Sequence, residues 1–142
     1  MENLAKLEQI ATELIRDYGI LTPPVPVETM LRNPGENMWK QVDVNQLSGS
    51  FLSLRDRFSP RMSMARLLVR HVAYSPWGKE RNLHLILVSD EELIRAFARM
   101  LVMPSDMMAS LSNSYRNPAS ISMKFEVPED DARQRLMELA QI

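Results

Sequence analysis

The sequence predicts an α+β fold: a single, mainly helical domain with a small β-sheet. Three observations predict it. Apolar residues recur at helical spacing near both ends and in the middle of the chain. Strand patterning is confined to residues 38–56, where Val42, Val44, Leu47, Phe51, Leu52 and Leu54 flank a turn at Ser48, Gly49 and Ser50. A length of 142 residues is one domain with room for a real core, so residues 1–142 are read as one unit.

Leu4, Leu7, Ile10, Ala11, Leu14, Ile15 and Tyr18 share one helical face and Gly19 is a stop, which predicts a helix over residues 3–18. Pro23, Pro24 and Pro26 restrict themselves and their predecessors to extended backbone. A short helix then runs from Pro26 or Val27 to Arg32 and stops at Asn33, Pro34 and Gly35. After the strand region, Ser59 reads as an N-cap with Pro60 at the first helical position. That helix should reach Tyr74 and end at Ser75, Pro76, Trp77 and Gly78. Leu85, Ile86, Leu87 and Val88 are too short a run for periodicity to choose between strand and helix. Ser89 with Glu92 three residues on is a capping box, opening a buried helix to about Val102. Pro104, Ser105 and Asp106 open a short helix through Leu111, and the Ser/Asn-rich residues 112–124 read as loop. A terminal helix to about Ala140 carries Glu129, Asp130 and Asp131 in its first turn, where the helix dipole favours acids.

Composition excludes several function classes. Lys plus Arg is 17 against 18 for Asp plus Glu, so no bulk field draws the chain to nucleic acid or anionic membrane. There is no cysteine, hence no disulfide framework and no thiol chemistry. The N-terminus is amphipathic and acidic, unlike a signal peptide, and no apolar run approaches a membrane span. A cytoplasmic protein without a membrane partner is expected. Four glycines leave no room for a P-loop or dinucleotide motif.

Three blocks carry a resemblance. Gly19, Ile20, Pro23 to Val25, Val27, Glu28 and Leu31 fit an opening pattern g-i-x-x-P-P-V-x-V-E-x-L. Glu91-Glu92-Leu93-Ile94-Arg95-Ala96-Phe97-Ala98-Arg99-Met100-Leu101-Val102-Met103-Pro104 is similar to E-x-x-A-N-x-F-A-x-x-L-L-M-P. Phe125, Val127, Ala132, Arg135 and Leu136 fit F-x-V-S-x-x-x-A-x-x-R-L, with Pro128 in place of Ser. Together they resemble the ImmA/IrrE-type metallopeptidase family, in the right chain order over most of the chain. The resemblance implies a zincin-like peptidase scaffold and ancestry among peptidases that cut helix-turn-helix repressors.

The metal site of such a peptidase is missing from the sequence. H-E-x-x-H places two histidines on one helical face to share zinc, with Glu as general base. The corresponding residues are Arg66, Leu67 and Arg70, and a guanidinium has no lone pair to offer a metal. Glu91 falls where the resemblance implies a third, acidic ligand. These four residues are read as a relict site, in which an arginine replaces the cation and pairs with Glu91 or Glu92. The bland alternative for Glu91 is a first-turn acid favoured by capping. No catalytic residue, metal or cofactor is expected. The function read from these features is a non-catalytic protein-interaction or regulatory domain, with a helix-turn-helix regulator as one partner class. Its peptide groove is expected between residues 47–54 and the helix at 60–75, with Phe51, Leu52, Ser53 and Leu54 alternating between core and groove.

Two other readings stay open. One is a metal-dependent peptidase with rearranged ligands drawn from His71, His84 and Glu91, although two histidines thirteen apart have no recognised ligand spacing. The other is a nucleic-acid binder using Arg55, Arg57, Arg61, Arg66 and Arg70, against which the bland reading is a solvated face with ion pairs. Met100, Met103, Met107 and Met108 read as core filler before they read as an adaptable groove. Trp39 and Trp77 read as caps on the core before they read as surface anchors.

The protein is expected to purify without stoichiometric zinc, and a chelator should leave its Tm unchanged. Elemental analysis finding about one tightly bound zinc per chain would contradict the erased-site reading.

Overall fold

A run of apolar residues on every side of a helix can be satisfied only at the centre of a bundle. The stretch after Arg95 is such a run. In the computed structural model, which describes residues 2–41 and 58–141, it lies in α6 (Glu91–Val102) and is buried from Ala96 to the end of the helix. Around it stand α1 (Glu2–Asp17), α2 (Val27–Arg32), α3 (Ser59–Tyr74), α4 (Pro76–Glu80), α5 (Leu83–Leu87), α7 (Ser105–Ala109), α8 (Pro118–Phe125) and α9 (Glu129–Ala140). One 3₁₀ turn occupies Asn113–Tyr115. The main contact is α3 against α6; α1 packs on the other side of α6, and α8 packs on α9.

Each element has a local cause. The apolar stripe of α1 puts Leu7, Ile10, Ala11, Leu14 and Ile15 in the core. Gly19 ends it at φ 65°, its N–H donating to the Arg16 carbonyl. Helix α3 begins with Pro60 in its first turn and buries Met62, Met64, Ala65, Leu68, Val69, Val72 and Ala73. The Ser75 hydroxyl accepts from the Gly78 N–H and starts α4 at once. Gly78 is required there, because a Cβ would lie 2.0 Å from the Val72 carbonyl oxygen. Arg81 closes this corner: it pairs with Glu13 of α1 at 2.8 Å and lies 3.8 Å above the Trp77 ring. Trp39, Trp77, Met100, Met103, Met107 and Met108 are all buried in the core.

The expected α+β architecture is overturned. Helix makes up 71% of the described residues, and no strand occurs among them. The zincin-like scaffold, which needs a sheet, goes with it. Of the run Leu85 to Val88, which periodicity left open, Leu85 to Leu87 belong to α5 and Val88 is its left-handed C-cap: Leu83 and Leu87, one turn apart, are buried while Leu85 and Val88 are exposed. The strand residues Val42, Val44, Leu47 and 51–54 lie outside the described residues. Residues 112–124, expected as loop, contain α8. Asn117 caps it by accepting from the Ser120 N–H at 2.9 Å, with Pro118 in the first turn. The cap of α6 is Asp90, which accepts from the Glu92 and Leu93 N–H groups, one residue later than the expected Ser89. No helix among the described residues is long and apolar enough to cross a membrane.

The interior also holds charges. The Arg135 side chain of α9 has no exposed surface. It donates twice to the Glu8 carboxylate of α1, one contact at 2.9 Å, and its Nε donates to the Met103 carbonyl at 2.9 Å. Arg99, inside the buried run of α6, meets Glu138 at 2.5 Å and Asp131 at 3.4 Å. Asp131 also takes two bonds from Arg95, each 3.0 Å. Three guanidinium groups are thus matched by three carboxylates across α1, α6 and α9. Breaking one partner of a buried pair leaves an uncompensated charge, at about 3–5 kcal/mol. Arg135→Met is therefore expected to lower unfolding stability in urea by about that amount, and adding Glu8→Leu should recover much of it. A loss under about 1 kcal/mol for the single variant would show that Glu8 is solvated when Arg135 is removed.

Candidate functional site

Of the four relict-site residues, the helix pair α3 and α6 brings two into contact. Arg70, in the last third of α3, donates to Glu91 in the first turn of α6 at 2.8 Å. Both side chains are substantially exposed, so the pair is a surface ion pair between two helix ends and not a filled metal cavity. Leu67 is half-buried and packs against the core. Arg66, one turn before Arg70, does not reach Glu91. Its hydrogen bond goes to the Ser63 hydroxyl at 3.3 Å, and it forms no ion pair among the described residues. Burial depresses the Arg66 pKa below the usual guanidinium value; repulsion from Arg95 and Arg70 adds to this, and Asp131 and Glu91 partly offset it.

The two histidines do not converge with Glu91 as a ligand set. The described residues bring together no group of three or more His, Asp and Glu side chains able to hold a metal. His71 is half-buried on α3, which holds its pKa below the ordinary value by desolvation. His84 is on α5 and stands 6.4 Å from the Tyr74 ring, centroid to centroid. Its Nδ1 is buried without a hydrogen-bond partner. Of the arginines of the nucleic-acid reading, Arg61, Arg66 and Arg70 are among the described residues. Arg61 turns inward and donates to the Val25 carbonyl, and Arg70 is neutralised by Glu91. Arg55, Arg57 and the expected groove residues Phe51, Leu52, Ser53 and Leu54 lie outside the described residues.

What the structure does assemble is a cleft that the sequence did not reveal. It is bounded by Val69, Arg70, Ala73 and Tyr74 of α3, by His84 and Leu87 of α5, and by Ser89, Glu91 and Ile94 at the start of α6, and encloses about 270 Å³. That is below the roughly 300–1,000 Å³ of sites for drug-sized molecules and suits one large side chain. Apolar surface dominates the lining, and the Arg70–Glu91 pair marks its rim. Tyr74, Leu85 and Val88 on the bordering elements are 57%, 61% and 69% exposed. The rim is also strained. Val88 and Ser89 both have positive φ, at 40° and 58°, and a β-branched residue there is a true outlier.

The chain matches no family model, no curated protein and no solved structure.

A double-mutant cycle of Arg70→Ala and Glu91→Ala is expected to give a coupling of about 0–1 kcal/mol, as for exposed pairs. A coupling above about 2 kcal/mol would mean that the pair is a desolvated replacement for a metal after all.

Proposed function

We propose that this chain is a non-catalytic protein-interaction module, and that the cleft between α3, α5 and α6 is its docking face. The cleft's exposed apolar rim carries the reading. Large apolar groups grouped on one surface mark a site for another molecule, whereas a single exposed one needs no explanation. Tyr74 lines an apolar recess of side-chain size, and Leu85 and Val88 are exposed on α5 and at its C-cap, the element that forms one wall, so a partner's side chain can enter while these groups cover its neighbours. Left-handed backbone is common just past a helix end but is usually taken by Gly or Asn, so Val88 and Ser89 make this turn, which adjoins the cleft at Ser89, a strained one. The rearranged-ligand peptidase lacks this kind of support, because His71, His84 and Glu91 are not gathered around one point.

A library of random peptides displayed on phage, selected against the full chain, tests the proposal. Binders are expected to lose most of their affinity on Tyr74→Ala and on Leu85→Glu. They should keep it on Met123→Glu, an exposed apolar site on α8. A selection that yields no binders, or binders indifferent to the first two substitutions, contradicts the docking face.

A further inference from the structure

The docking face is not electrically neutral. Three arginines, Arg66, Arg70 and Arg95, stand close together where α3 meets α6. Glu91 answers Arg70, while Asp131 answers Arg95 and is shared with Arg99. Among the described residues Arg66 pairs with no carboxylate, and its hydrogen-bond acceptor is the Ser63 hydroxyl. It is also half-buried, so water cannot solvate the guanidinium as it would at the surface. Arg66 precedes Arg70 by one helical turn, and Arg70 lines the cleft. Residues four apart on a helix have Cβ atoms about 5–6 Å apart. An extended segment advances roughly 3.3 Å per residue, so side chains two positions apart span about the same distance.

We propose that the docking face selects a protein segment carrying a large apolar side chain beside an acidic one, the apolar group entering the cleft and the carboxylate pairing with Arg66. This rests on the reading of the cleft as a docking face and adds the chemistry of the partner. The inference stands on charge complementarity: Arg66 is a half-buried cation that forms no ion pair among the described residues, one helical turn from a recess that takes apolar surface. A carboxylate docked on a guanidinium can make two parallel hydrogen bonds, and these are stronger than neutral ones because both groups are charged. A basic segment would bring a like charge to Arg66 and be repelled.

The same peptide selection separates this proposal from the docking reading it rests on. Enriched peptides are expected to carry an aromatic or large aliphatic residue with Asp or Glu two to four positions away. Arg66→Glu should weaken them by roughly tenfold or more, and changing the peptide's acid to Lys should restore binding to that variant. Arg66→Gln removes the charge with little change of size, and with a native melting curve it should erase the preference for acidic peptides. Binders that depend on Tyr74 and Leu85 but show no acidic preference and ignore both Arg66 variants would overturn the partner chemistry and leave the docking face standing. Binders indifferent to Tyr74 and Leu85, or none at all, would overturn both.

Discussion

A guanidinium with no exposed surface has to find its negative charge inside the protein, and Arg135 imposes that condition on the whole bundle. Its partner Glu8 is on the first helix and Arg135 on the last, so the pair can form only when the two ends of the described chain lie side by side. The third bond, to the Met103 carbonyl, reaches the C-terminus of α6 and satisfies a backbone acceptor that the helix itself leaves open. Arg99 repeats the arrangement two turns along α9, through Asp131 and Glu138. Apolar contact supplies most of the favourable free energy of such a core, but it is nondirectional. The charge pairs are directional: a rotation of α9 about its axis would part Asp131, Arg135 and Glu138 from Arg99 and Glu8 and leave those two buried charges unpaired.

That constraint fixes α6, and α6 positions the candidate site. The same helix that buries everything beyond Ala96 presents Glu91 and Ile94 at its exposed beginning, where α3 and α5 meet it. The cleft therefore has two firm walls and one lighter wall. The walls from α3 and α6 belong to the main helix pair, whereas α5 is five residues long, lacks a side-chain cap and is flanked by left-handed residues at both ends. A firm wall provides shape without reorganisation, and a short, strained one can adjust to what enters. Arg66 belongs to α3, the helix of the firm wall, one turn before Arg70.

Much of the helical plan was legible in the sequence, for physical reasons that also explain what was not. Helices α1, α2, α3, α6 and α9 were expected near their observed bounds, because periodicity, proline and capping residues act locally. Helix α8 was missed although Asn117 followed by Pro118 is a cap-and-proline signal; the Ser/Asn content around it outweighed that signal. The sheet was inferred from residues that lie outside the described part of the chain, and Leu85 to Leu87 resolved as helix because Leu83 and Leu87, one turn apart, share the buried face. The buried charges were misjudged in character. Asp131 was read as a first-turn acid, yet Asp131, Arg135 and Glu138 recur at helical spacing, the pattern of one face turned inward. The Arg70–Glu91 contact could be anticipated, since it needs only two helices in register. The cleft could not: it depends on how a five-residue helix seats against two longer ones, which no local pattern encodes.

The central claim is that a partner's side chain seats between α3, α5 and α6, and the location of that side chain can be measured directly. Intermolecular nuclear Overhauser contacts between a bound peptide and the methyl groups of the protein report it. Contacts are expected from the peptide's apolar side chain to Ala73, Leu87 and Ile94, which line the cleft from its three walls. Contacts confined instead to methyl groups of α8 and α9, such as Met123 and Met137, would contradict it.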